Sequence, residues 1–194
     1  MSTCRYNQSC ESLHSVSLLS GGTGMPSKTF LNLKNTDKKQ RINQALLLEF
    51  SQYPLAQAQV ARIIKNAGIA RGAFYQYFDN LTDAYQYLLQ KALTDIHADL
   101  SKTNYQNPTY LLDKMTTFIN QVSNNDYFNL FKMHFKYNEV MLPDYISKQR
   151  LSTQAWVLAT LSHATLRDIF IDKAHQTTYL QRFQEAIKPF KEDY

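Results

Sequence analysis

Val60-Ala61-Arg62-Ile63-Ile64-Lys65-Asn66-Ala67-Gly68-Ile69-Ala70-Arg71-Gly72-Ala73-Phe74-Tyr75-Gln76-Tyr77-Phe78 is the stretch whose reading decides the fold of this chain. Val60, Ile63, Ile64 and Ala67 recur at helical spacing and give a first short helix one apolar face. Gly68 follows where a helix needs a left-handed cap, a conformation that glycine enters without steric penalty. Phe74 and Phe78, four residues apart, anchor a second helix to the core and leave Arg71, Tyr75 and Gln76 on other faces. Two short helices joined at a glycine, the second carrying polar and aromatic side chains outward, have the layout of a helix-turn-helix whose second helix lies in a DNA major groove.

Charge placement agrees with this. The net charge is +5, and between residues 28 and 78 the bases Lys28, Lys34, Lys38, Lys39, Arg41, Arg62, Lys65 and Arg71 face only Asp37 and Glu49. From residue 84 onward, 12 bases nearly balance 11 acids. Positive charge is thus concentrated around the second helix, as attraction to phosphates requires. Arginine can bond both acceptors of a guanine edge and glutamine can bond an adenine edge in the same way, so Arg71 and Gln76 are the expected base readers. Lys38, Lys39 and Arg41 are expected to hold phosphates without reading sequence, with simple solvation as the alternative for each.

The pattern Ala67-Gly68, Ala70-Arg71-Gly72 and Phe74-Tyr75-Gln76-Tyr77-Phe78 resembles the fingerprint of the TetR family of bacterial transcriptional repressors, over residues 36 to 90 or so. That fingerprint is an alanine-glycine turn, a residue pair before glycine, then aromatic-Tyr-x-Tyr/His-Phe. The resemblance implies that Tyr75 and Tyr77 meet the phosphate backbone, with core packing as their alternative, and that Gly72 and Ala73 let the helix approach DNA closely. Gln59 falls where the family often has a threonine that caps the preceding helix and touches a phosphate. Two positions depart from the family pattern: Ala70 replaces a capping serine or threonine, and Leu81 replaces a phosphate-binding lysine. The resemblance further implies a homodimer on a palindromic operator of double-stranded DNA, released by a small apolar or amphipathic ligand. A TetR-like regulator governed by a protein partner, or by no small ligand, is the other reading.

The rest of the chain reads as all-α. After Thr36 or Asp37 as N-cap, a helix runs to about Tyr53 with Ile42, Leu46 and Phe50 on one face, and Pro54 closes it. Asn80, with Asp83 three residues on, caps a long helix to about Leu100 whose stripe is Tyr85, Leu88, Leu89, Ala92, Ile96 and Leu100. Further helical patterns cover 109 to 123, 127 to 137, a longer run after Pro143 to about Phe170, and 177 to 188. No strand alternation or hairpin dipeptide stands out. The expected division is a helix-turn-helix domain at 36–82 and a helical regulatory and dimerisation domain at 83–194.

In that second part Tyr110, Met115, Phe118, Phe131, His134, Phe135 and Trp156 are candidate linings of an apolar ligand site, with plain core as the alternative for each. Leu161, Tyr179, Leu180, Phe183 and Ile187, on the last two long helices, are the expected dimer contacts. His97, His134 and His163 lie on separate predicted helices with no Glu-rich or cysteine partners, so neither a metal site, a cofactor nor a catalytic triad is expected, and the chain does not read as an enzyme.

Residues 1–35, rich in Ser, Asn, Thr and Gly, are expected to be largely disordered. Gly21-Gly22-Thr23-Gly24 precedes Met25, and two glycine codons can read as a ribosome-binding sequence. Met25 is therefore the expected start and residues 1–24 a translated leader, which an intact residue 1 in the mass of protein expressed from its own locus would overturn. Cys4 and Cys10 have nothing nearby to complete a zinc set, and no cysteine follows them, which suits a reducing cytoplasm. No apolar run approaches the roughly 18 residues of a membrane span.

Overall fold

The computed structural model describes residues 26–96, 107–142 and 151–191, and every regular element in them is helical. The expectations for Cys4, Cys10, the start at Met25, His97, Leu100 and Pro143 lie outside those residues. Among the described residues no helix is long and apolar enough to cross a membrane.

The head is built from α1 (Lys28–Leu31), α2 (Thr36–Gln52), α3 (Val60–Ala67) and α4 (Arg71–Tyr77). The N-cap of α2 is Asn35, one residue before the expected position, its side chain accepting from Lys38 N at 2.9 Å. The helix buries Ile42, Ala45, Leu46 and Phe50, and ends as Tyr53 turns extended before Pro54. Gly68 closes α3 at φ 63°, ψ 44°, the left-handed conformation that its position calls for. The next helix, α5 (Leu81–Asp95), begins at Asn80, whose side chain accepts from Asp83 N at 3.0 Å, and buries Tyr85, Leu88, Leu89 and Ala92.

The expectation of disorder fails for the last part of residues 1–35. Phe30 is wholly buried against Tyr77, Phe78 and Tyr87, at ring separations of 5.4, 4.9 and 5.1 Å, and Ser27 caps the turn of helix that carries it. One aromatic side chain supplies enough apolar area to dock a segment that has no helical period of its own.

The body comprises α6 (Pro108–Ser123), α7 (Phe128–Met133), α8 (Thr153–Ile171) and α9 (Gln176–Ala186). Asn107 caps α6, with Pro108 in the first turn, where its missing N–H costs nothing. The single helix expected at 127 to 137 is instead α7 followed by a π-helical turn, His134–Asn138, and a 3₁₀ turn, Glu139–Met141. The widened turn places both Phe135 and Asn138 in the interior.

Among the described residues, two apolar clusters hold the helices together. The larger is continuous from Phe30 and the head helices, through α5, to Phe118, Phe131, Phe135 and Phe170 of the body. Leu111, Met115, Leu158, Phe183 and Ile187 form the second, between α6, α8 and α9. Head and body therefore share a core, and α2 lies directly against α7.

Candidate nucleic-acid interface

Three side chains hold the frame of α3 and α4. Glu49, buried at the end of the α2 stripe, accepts from the backbone N of Gln59 at 2.7 Å and from Arg62 NH2 at 2.6 Å. The Arg62 guanidinium also lies 3.8 Å from the centre of the Tyr53 ring, and Glu49 raises its pKa by hydrogen bonding. The N-terminus of α3 is thus satisfied by a carboxylate from α2, while the side chain of Gln59 makes no cap bond and stays exposed. Sequence reading missed Glu49. The signal was there: one of only two acids in a basic segment, on the buried face that Ile42, Ala45, Leu46 and Phe50 define.

Arg41, expected to hold a phosphate, is committed within the head. Its Nε donates to Ala67 O at 3.3 Å, at the turn between α3 and α4, and its guanidinium pairs with Asp37. Lys39 Nζ donates to Leu31 O at 3.2 Å and lies over the Phe30 ring. Lys38 is half-buried, its Nζ 5.5 Å from the centre of the Tyr77 ring.

On α4, Phe74 and Phe78 are buried as expected, and Arg71, Tyr75 and Gln76 are exposed. Tyr77 is a correction: it is only 4% exposed. Three residues after Phe74 it shares that residue's face, so its ring belongs to the core and the alternative reading holds. Ala73 is half-buried against the same core. A methyl group at Gly72 would meet nothing within 4 Å, so no internal contact requires glycine there and the outer face of α4 is bare at that turn. The Arg71 guanidinium lies 5.6 Å from the centre of the Tyr75 ring, and its NH2 reaches the phenol oxygen at 3.5 Å, a long contact. Ala70 offers α4 no side-chain cap. What remains outward is a short face of Arg71, Gly72, Tyr75 and Gln76 on a helix fixed from behind by aromatic packing.

Residues 44–83 match the model of the bacterial regulatory proteins of the tetR family. Over those residues the head resembles that of a TetR-family regulator. A TetR family transcriptional regulator from Chloroflexus aurantiacus J-10-FL shares the fold, with a TM-score of 0.53 and 23% identity over 87% of this chain and 97% of that one. A TetR transcriptional regulator from Rhodococcus sp. RHA1 is 14% identical over 79% of this chain and 96% of that one, with a TM-score of 0.44. No curated protein matches the chain.

Behind the head, the body's candidate residues do not converge on one site. Phe118 packs on Phe131, and Phe118, Phe131 and Phe135 all pack on Phe170, which sequence reading had not singled out, at ring separations of 5.2 to 5.9 Å. Met115 belongs to the second cluster. Tyr110 is half-buried beneath Lys114. Trp156 is 45% exposed, so it lines no interior of this chain. His134 accepts or donates at Nδ1 to the Tyr85 hydroxyl at 2.9 Å, and burial pushes its pKa down to about 4. His163, on α8, pairs with Glu139, whose carboxyl it holds below the usual range against the opposing effect of burial. Among the described residues no three His, Cys, Asp or Glu side chains gather as a metal site would need.

The dimer candidates also divide. Phe183 and Ile187 are 1% and 0% exposed within a single chain, filling the second cluster, and so are corrected from interface to core. Leu161, Tyr179 and Leu180 are half-buried and keep a part of their surface outward. The α8–α9 pair buries its inner face on α6, and Trp156 stands on the remaining surface of α8.

Proposed function

We propose that this chain is a transcriptional repressor that reads a palindromic operator as a homodimer, with Arg71 and Gln76 contacting base edges and Tyr75, Gln59 and Lys38 the backbone. One observation carries the reading: a TetR-type α4, pinned by Phe74, Tyr77 and Phe78, presents Arg71, Tyr75 and Gln76 outward beside a bare Gly72. Side chains held in this way enter a major groove with little further loss of freedom. Half-sites would lie about 34–36 Å apart, or a multiple of that, as two-fold symmetry on B-DNA demands.

Release by a small apolar or amphipathic ligand is the regulatory mode that the family likeness supports. The packing of Phe118, Phe131 and Phe135 around Phe170 favours a second one, control by a protein partner or by no small ligand, because these rings are already buried on that residue. Selection of bound sequences from random DNA duplexes, followed by footprinting, tests the core of the proposal. A two-fold symmetric consensus is expected, and enrichment of no sequence would overturn it. Titration of the resulting complex with pooled small metabolites separates the two regulatory modes.

A further inference from the structure

The last four carbonyls of any helix lack partners within it, and α4 has neither a capping glycine nor a basic residue in its last turn. The chain leaves it in extended conformation at Phe78, φ −137°, ψ 134°. Two of those carbonyls are met from outside. Ser27 Oγ donates to Gln76 O at 2.6 Å, across 49 positions of sequence, and Ser27 N donates to Tyr77 O at 2.9 Å. The same hydroxyl accepts from Phe30 N at 3.3 Å, and Phe30 drives its ring between Tyr77, Phe78 and Tyr87. Lys39, from α2, closes the arrangement over Leu31 O and the Phe30 ring.

We propose that Ser27 is a positioning residue for DNA reading: the turn at Ser27–Leu31 clasps the C-terminal end of α4 and sets the backbone from which Gln76 reaches a base. This rests on the proposed DNA reading but asks more of it, since Ser27 contacts no base. A seven-residue helix has too few internal bonds to hold its own last turn rigid, so the external donors decide how far Gln76 wanders. Specificity, which needs the amide of Gln76 in one place, depends on the clasp; grip on phosphates, supplied from α2 and from Tyr75, does not.

The test uses the full chain with Ser27→Ala, which removes the hydroxyl, Ser27→Thr, which keeps it, and Ser27→Pro, which removes the hydroxyl and the N–H at a φ of −56° that proline accepts. Two readouts are paired: amide exchange of residues 74–78, and the ratio of affinities for the selected operator and a scrambled duplex. Ser27→Pro is expected to speed exchange in 74–78 while leaving α2 and α5 unchanged, and to lower the affinity ratio roughly five- to tenfold. Ser27→Ala should fall between, and Ser27→Thr should match the unmodified protein. The proposal is overturned if exchange in 74–78 is unchanged in Ser27→Pro, or if operator and scrambled DNA lose affinity equally. Should the unmodified protein select no operator, the DNA reading itself has failed, whereas exchange would still decide whether the clasp holds the helix.

Discussion

Arg71 and Gln76 stand five residues apart, both exposed on α4, and their chemistry makes them separable from their neighbours by experiment. Replacing either with alanine is expected to cost roughly 1–3 kcal/mol per half-site on the selected operator and much less on random DNA. Lys38→Ala should weaken both DNAs alike and flatten the dependence of log affinity on log salt. Equal losses of Arg71→Ala on operator and random DNA, read by fluorescence anisotropy, would make α4 a phosphate-gripping element. Gly68 is tested by stability instead. Its φ of 63° is open to a side chain only with strain, although a methyl group there would meet nothing within 4 Å. Gly68→Ala should therefore cost about 1–2 kcal/mol in urea unfolding, all of it conformational. The exposure of Arg71 and Gln76 and the turn at Gly68 were legible in sequence because they follow from local spacing. Arg41 and Tyr77 were not: Arg41 turns to a carbonyl 26 positions away, and Tyr77 faces Phe30, which no local pattern connects to it.

Among the elements, α8 and α9 are where the proposed dimer is tested. A stripe of apolar residues on α9 reads equally well as an interface or as a core face, since both remove it from water. The structure assigns Phe183 and Ile187 to the core with Leu111, Met115 and Leu158. A charged residue at Phe183 is thus expected to unfold the body rather than yield clean monomers, at a cost of at least about 3–5 kcal/mol in lost packing. Trp156→Asp, on the exposed side of α8, is the discriminating variant. If α8 and α9 pair with their counterparts, it should give folded monomers by light scattering, with unchanged far-UV circular dichroism and weakened operator binding. An unmodified protein that scatters as a single chain at micromolar concentration would remove the basis of that expectation. As the only tryptophan, Trp156 would then report the interface by its fluorescence, not the body's interior.

At the scale of the whole molecule, head and body are joined by polar contacts set into the shared core. Asn138, fully buried on the π-turn, accepts from Leu55 N at 2.8 Å, and the Tyr85 hydroxyl meets His134. Asn138→Leu should leave the Leu55 N–H buried without a partner and cost about 1–3 kcal/mol, measured by thermal unfolding. His134 adds a pH dependence of definite sign. Burial holds its pKa at about 4 in the folded chain against 6.5 for the free side chain, helped by His163 and opposed by Glu139. Below 6.5 the unfolded chain takes up a proton that the folded chain refuses, so the contribution is complete above that pH and declines as pH falls towards 4. The decline attributable to this group is about 3 kcal/mol. His134→Gln should show a smaller loss between about pH 7 and about pH 4.5 than the unmodified protein, by urea midpoints at both. Equal losses would place the acid sensitivity in other groups, with Glu139 the first to examine.

Sequence by itself determined the helical class, the turn at Gly68, the caps at Asn80 and the outward side of α4, because each depends on residues within about four positions of one another. It also carried the family likeness, whose fingerprint lies within the same short stretch. Only the tertiary structure decided which apolar faces meet. It put Tyr77 and Phe183 inside, docked Phe30 and Ser27 on the reading helix, assigned Glu49 to the start of α3 and set Trp156 outside. Each of these joins residues distant in sequence, and burial is non-directional: an apolar stripe states that it must be covered, not by what.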